Sequence, residues 1–193
     1  MNLIIASNNE HKIQEIKSIL KGYFDTILSL KEADIDCDPI ENGKTFAENA
    51  LIKANEIAKH TDCAVLADDT GLCVNALNGE PGIMSARYAG NHDNAKNRAK
   101  LLKNLENVKD RSAHFCTAVV LRYPDGTVLT AKGKVYGIIL EQEDGTNGFG
   151  YDSLFYCNEL EKSFGLATEQ EKNSVSHRAK ALHNLIKAMK KKL

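Results

Sequence analysis

Apolar and polar positions along this chain follow two rhythms. Asn2-Leu3-Ile4-Ile5-Ala6 is a short apolar run that predicts a strand, and the polar Ser7-Asn8-Asn9 follows at once. Beyond it Ile13, Ile16, Ile19 and Leu20 recur at helical spacing, with Asn8 or Asn9 where such a helix is capped. Composition predicts a further strand over Phe24 to Leu30. Thr45-Phe46-Ala47-Glu48 has capping-box spacing, and Phe46, Ala50, Leu51, Ala54, Ile57 and Ala58 then mark one face of a helix reaching about His60. Cys63 to Ala67 is a continuous apolar run that gives way to Asp68-Asp69-Thr70-Gly71, which predicts a buried strand delivering polar groups at its carboxyl end.

In the second half, Asn78-Gly79 and Pro81-Gly82 predict turns, and Asn94 to Leu105 predicts a helix. His114 to Tyr123 and Thr127 to Leu140 flank Pro124-Asp125-Gly126, the pattern of an antiparallel hairpin of two long strands. A glycine-rich loop spans Gly145 to Asp152, and Ser176 to Lys192 predicts a last amphipathic helix through Ala179, Leu182, Leu185, Ile186 and Met189. Strand–helix units joined to a long hairpin predict an α/β fold: a mixed, elongated central sheet flanked by helices, with two lobes and a cleft between them. With no repeat and no long linker, residues 1–193 read as a single domain.

Charge adds an exclusion. Lys and Arg number 25 against 26 Asp and Glu, so no general field draws the chain to nucleic acid or to a membrane surface, and an anionic ligand must be held by local charge. No apolar run approaches a membrane span and no leader pattern opens the sequence, so the chain reads as cytoplasmic. The cysteines at 37, 63, 73, 116 and 157 form no C-x-x-C pair, which suggests neither a disulfide framework nor a zinc site. They read as buried free thiols.

Candidate chemistry gathers at four places. The strand, turn and helix around Ser7, Asn8, Asn9 and Lys12 put unpaired helix amides, the positive end of a dipole and a full positive charge together, as an anion site requires; plain capping fits the same residues. Asp68 and Asp69 are neighbours on a strand, so their side chains point to opposite faces. A hard cation such as Mg²⁺, held by one or two carboxylates plus phosphate oxygens, suits them, with Glu41 in the loop Glu41-Asn42-Gly43-Lys44 as a second ligand. In Gly148-Phe149-Gly150-Tyr151-Asp152 the glycines allow close backbone approach, while the aromatics offer a surface for a base or simply pack inward. Lys172, His177 and Arg178 bring three donors to the start of the last helix, where cations oppose the dipole unless an acceptor is near. Lys187 and Lys190 to Lys192, at the other end, read as a solvated helix terminus. Neither a P-loop nor a nucleophile elbow is present.

Taken together, Ser7-x-Asn9-x-x-Lys12, Thr45-Phe46-x-Glu48-Asn49-Ala50, Ala67-Asp68-Asp69-Thr70-Gly71-Leu72, Pro81-Gly82-Ile83-x-Ser85-Ala86-Arg87-Tyr88, Gly148-Phe149-Gly150-Tyr151-Asp152 and Ser176-His177-Arg178 resemble the inosine triphosphatase (ITPase) family. The resemblance implies an Mg²⁺-dependent pyrophosphatase acting on noncanonical purine nucleoside triphosphates (ITP, dITP, XTP), a homodimer in the cytosol. It implies that Ser7, Asn8, Asn9 and Lys12 hold the triphosphate, with Lys53 as a helper. Glu41 and Asp69 hold the metal, Asp69 also serves as general base, and Thr70 contacts the nucleotide. Phe149, Gly150, Tyr151, Asp152, Lys172, His177 and Arg178 form the base pocket. Two departures stand out: Asn8 occupies a position that is often Gly, and Ser153 replaces a Pro, which predicts a looser loop. The other readings open to the sequence are a Maf-type pyrophosphatase acting on modified pyrimidine or dUTP nucleotides, and a noncatalytic nucleotide- or RNA-binding module.

Overall fold

The structure is a computed structural model that describes residues 1–90 and 92–192. Its strands are β1 (Leu3–Ile5), β2 (Ile27–Ser29), β3 (Ala64–Val74), β4 (Ser112–Arg122), β5 (Val128–Ile139), β6 (Phe155–Cys157) and β7 (Lys162–Ser163). Its helices are α1 (Glu10–Leu20), α2 (Phe46–Ile57), α3 (Asn94–Asn104), α4 (Glu169–Val175) and α5 (His177–Lys192). The strands form one mixed sheet in the order β2-β1-β3-β4-β5-β6-β7. β1 pairs in parallel with both β2 and β3, whereas β5–β6 and β6–β7 are antiparallel. The expected α/β fold with a mixed sheet and flanking helices is the fold observed.

The chain divides into two compact units. The first comprises Met1–Asp69, Thr117–Gly133 and Arg178–Leu193, the second Thr70–Cys116 and Lys134–His177. In the first unit the two faces of the sheet are covered by different helices, and strand alternation decides which residue goes where. Leu3, Ile5, Ala64 and Leu66 pack with Ile13, Ile16 and Leu20 of α1 and Leu182 and Leu185 of α5. Ile4, Ala6, Val65 and Ala67 point the other way and pack with Ala50, Ala54 and Ile57 of α2. The second unit has its own core, in which Leu72, Val74, Phe115, Val135, Phe155 and Phe164 meet Leu101 and Leu105.

Local chemistry explains most element ends. Asn9 caps α1 by accepting from the Lys12 N–H at 3.3 Å, which selects it over Asn8. Thr45 caps α2, but Glu48 bonds back to the Lys44 N–H, so the capping box is only half made. A short 3-10 turn, Ala58–His60, completes the predicted stretch. Asp93 caps α3. β4 and β5 are sheet neighbours joined through the turn at Tyr123 and Thr127, as the hairpin pattern required.

Three expectations change. β2 covers only Ile27–Ser29, because Phe24 turns into the core of the first unit instead of extending the strand. β3 does not stop at the aspartates: it runs on through Asp68-Asp69-Thr70-Gly71 to Val74, since both carboxylates find partners while still in the sheet. α4 went unpredicted although Thr168-x-x-Glu171 is a complete capping box, with both reciprocal bonds formed. Cys37, Cys63 and Cys73 are half-buried, whereas Cys116 and Cys157 are buried as expected; none is in a disulfide. Among the described residues no helix is long and apolar enough to cross a membrane. The Lys192 side chain lies outside the described set.

Candidate active site

The alternation that sorts the core also sorts the two aspartates. Asp68 continues the Ala64–Leu66 face and so lies with α1 and α5, and Asp69 continues the Val65–Ala67 face and lies with α2. Lys12, at the start of α1, puts its ammonium 3.1 Å from Asp68 Oδ2. Arg178, the second residue of α5, donates to the same oxygen through Nε at 3.3 Å and to Glu15 of α1 through Nη1. Its side chain is fully buried, so two cations and two carboxylates neutralise one another inside the unit. Burial works against the charge on Asp68, but Lys12, Arg178 and Lys53 outweigh it and hold the carboxyl well below its ordinary range. Burial lowers the Lys12 ammonium, with Asp68 opposing. This acceptor pair accounts for a cation in the first turn of α5, where the dipole alone would disfavour it.

On the other face Asp69 Oδ2 accepts from Asn49 Nδ2 at 3.0 Å. The opposite end of that amide accepts the Gly43 N–H at 2.8 Å, so one side chain ties the loop carrying Glu41 to Asp69. Gly43 has no room for a side chain: a β-carbon there would lie 2.7 Å from Asn49 Oδ1 and from Glu48 Cβ. Glu41 is held by Lys53 of α2 at 3.1 Å. Burial raises the Asp69 carboxyl, Lys53 and the Asn49 amide pull it back, and the charge of Glu41 raises it further. Ser7 and Asn9 are half-buried and Asn8 is exposed before α1, with the Asn9 N–H donating to Ser7 Oγ at 3.2 Å. The first unit thus brings together Ser7, Asn8, Asn9, Lys12, Glu41, Lys53 and Asp69, together with Asp68 and Arg178.

The second unit holds Thr70, half-buried directly after Asp69, and the residues expected at a base. Gly148 and Gly150 have φ of 74° and 64°, which suits glycine, and a β-carbon on Gly148 would strike the Asp152 carboxylate. Asp152 Oδ2 accepts the Phe149 N–H at 2.7 Å and the Lys172 ammonium of α4 at 2.7 Å; the ion pair is buried. That ammonium also sits 4.8 Å from the centre of the Phe149 ring, which is half-buried and offers a flat face. Tyr151 is different: its ring is in the core and its hydroxyl donates to the Ser85 carbonyl at 2.8 Å, so it anchors the loop. Burial keeps its phenol far above the ordinary range and therefore neutral. His177 stacks on Phe115 at 4.8 Å between centroids and 15° between planes. Ser153 does not leave the loop loose, because its hydroxyl donates to Glu143 at 2.8 Å, and Glu143 also holds Arg98. A cavity of about 200 Å³ runs along this loop, lined by Arg98, Glu143, Ser153 and residues 145–150. A larger one of about 660 Å³, near Leu102, Arg111 and Glu141, includes none of the expected site residues.

Glu15 and Asn49 are the participants that pattern reading missed. Glu15 left a signal, an acid one helical turn from Lys12 and adjoining the apolar stripe of α1. Asn49 stood in the block Thr45-Phe46-x-Glu48-Asn49-Ala50, on the buried face of α2, with no role assigned to it.

Residues 3–188 match the model of the Ham1 family. The chain belongs to the Ham1 family. It is 53% identical over 191 residues to a dITP/XTP pyrophosphatase of Clostridium perfringens, covering 94% of each chain. A Leuconostoc mesenteroides protein of the same name is 45% identical, over 98% of this chain and 96% of that one. Among solved structures, the Staphylococcus aureus Ham1 protein superposes with a TM-score of 0.89 at 40% identity over the whole of both chains. A HAM1 protein from Coxiella burnetii gives 0.88 at 36% identity over 99% of each. The Ham1 fold is therefore common to the full described chain.

Proposed function

We propose that this Ham1 protein hydrolyses noncanonical purine nucleoside triphosphates, namely dITP, XTP and ITP, to the nucleoside monophosphate and pyrophosphate. The observation that carries this reading is the cluster of the first unit, in which Asn49 ties Asp69 to the loop of Glu41 while Lys12 stands at the N-terminus of α1. The two relatives, both dITP/XTP pyrophosphatases by name, support the same substrate class. A homodimer working in the cytosol completes the proposal.

Glu41 and Asp69 fit a hard divalent cation: both offer oxygen ligands, and the charge of Glu41 disfavours ionised Asp69, a repulsion that a bound cation offsets. Glu41 and Asp69 would hold Mg²⁺, which would supply charge neutralisation to the phosphates. Asp69, made more basic by burial, takes the proton of the attacking water as the new P–O bond forms and the α–β bridging P–O bond breaks, and pyrophosphate leaves. Lys12, the N-terminal end of α1 and the side chains of Ser7, Asn8 and Asn9 receive phosphate oxygens. Lys53 balances Glu41, and Thr70 touches the nucleotide beside Asp69. Phe149 stacks on the base, the Gly150 backbone lies against it, and Asp152 and Lys172 set its edge with His177. Tyr151 serves by anchoring that loop. Arg178 joins these residues at the base, while its Nε holds Asp68, which in turn meets Lys12, and its Nη1 holds Glu15.

Selectivity follows from donors that meet the 6-oxo group of hypoxanthine or xanthine, since adenine presents an amine there and a buried mismatch costs about 1–3 kcal/mol. Pyrophosphate release is to be measured for dITP, XTP, dGTP, dATP and dUTP with Mg²⁺. Faster turnover of dITP and XTP is expected, and equal rates for dGTP or a preference for dUTP would overturn the assignment. Asp69→Asn keeps the circular dichroism and melting profile yet loses turnover by two or more orders of magnitude, on the order of a lost general base; near-normal rates would remove Asp69 from that role.

A further inference from the structure

The first unit contains a cluster of metal-ligating side chains that the proposed reaction does not use. Cys37, Glu56 and His60 each offer one ligand atom, and these atoms lie within 4.8 Å of one another. Cys37 lies in residues 33–41, outside any helix or strand, where side chains alternate between half-buried and exposed. The inward set is Ala33, Ile35, Cys37, Pro39 and Glu41, and the first three pack against the core beneath α2. Glu56 and His60 stand four residues apart where α2 passes into its 3-10 turn, so they share one face one turn apart. The loop thiol therefore faces a carboxylate and an imidazole presented by the helix.

We propose that Cys37, Glu56 and His60 form a binding site for a thiophilic divalent cation of the Zn²⁺ class. One sulfur, one nitrogen and one oxygen ligand leave a fourth position for water, a donor set that suits zinc and not Mg²⁺. The carboxylates of Asp36 and Asp38 act on Cys37, with the Lys59 ammonium opposing them. Glu56 is engaged by Lys59 at 2.6 Å, but that pair is exposed, and such pairs hold weakly enough to exchange. Burial, then Glu56, Asp38 and Asp36, raise the Cys37 thiol, so the site binds metal with release of a proton. Occupancy ties residues 33–41 to the end of α2 and steadies the segment on which Glu41 sits.

The probes are Zn²⁺ and Co²⁺ alone, added to the full chain after treatment with chelator. Zn²⁺ is expected to raise the melting temperature, and Co²⁺ to give a thiolate-to-cobalt charge-transfer band in the near ultraviolet. Cys37→Ser should abolish the band, and Cys37→Ser and His60→Ala should each weaken Zn²⁺ binding by about 10-fold or more, the scale on which metal sites respond to losing a contact. Mg²⁺-supported pyrophosphate release by Cys37→Ser should match the parent, which separates this site from the one at Glu41 and Asp69. Absence of a cobalt band in the parent, or its survival in Cys37→Ser, overturns the proposal while leaving the proposed hydrolysis untouched.

Discussion

Asp68 and Asp69 illustrate how far one position along a strand can move a side chain's chemistry. Their neighbourhoods differ because β3 alternates: one carboxylate is drowned in positive charge, and the other is held by an amide and kept basic by burial. Lys172 and Asp152 carry a comparable load in the second unit, where the pair is buried and Phe149 depends on it for both its N–H bond and its ring contact. Lys172→Met keeps the volume and removes the cation, leaving a buried carboxylate without its main partner. A loss of about 3–5 kcal/mol in urea denaturation is expected, with a raised KM for dITP. The residue types of this site were readable in the sequence, and their partners were not. Nothing in the order of the chain says that Arg178 turns to Glu15 or that Asn49 spans Gly43 and Asp69, because each bond joins residues brought together only by packing.

At the scale of elements, α4 shows a local signal that was present and overlooked. Thr168 and Glu171 close a reciprocal capping box, and Glu171 also pairs with Lys162. Thr168→Ala should cost about 1 kcal/mol by thermal melting, with amide exchange quickening over residues 169–172 of α4. The Lys162 ammonium, then the Thr168 amide and hydroxyl, hold the Glu171 carboxyl down at about 2. A lowered value means that this stabilisation is present above the unfolded carboxyl range and is lost as pH falls from about 4.5 toward 2. A carboxyl-carbon NMR titration should place Glu171 near the bottom of that window in the parent, and Lys162→Met should move it upward. β3 teaches the reverse lesson: Asp-Asp-Thr-Gly is a turn signal by composition, yet tertiary partners keep it in the sheet.

Across the whole molecule, each unit encloses its own apolar core, and both carry part of the fold's stability. Leu185, fully buried with α1 and β1, and Phe164, fully buried with Phe115 and Phe155, are the natural probes. Leu185→Ala should cost about 2–5 kcal/mol and Phe164→Ala about 3–5 kcal/mol in chemical denaturation, as cavities in well-packed interiors do. A change below about 1 kcal/mol at either site would mean that its surroundings collapse to fill the space. The near balance of 25 basic and 26 acidic side chains leaves the molecule's ligand chemistry to local groupings such as Lys12 with Asp68.

By itself the sequence determined the long helices and strands and their faces, since periods of 2 and 3.6 residues, capping side chains and glycine turns act over a few bonds. It also determined the family, through six short blocks spread in order along the chain. Only the tertiary structure decided which helix covers which face of the sheet, and hence which carboxylate meets Arg178 and which meets Asn49. The grouping of Cys37 with Glu56 and His60 has the same origin, for no C-x-x-C spacing announces it. Such partnerships join residues that are far apart in sequence, and burial in a low-dielectric interior obliges each charge to find a partner wherever packing has put one.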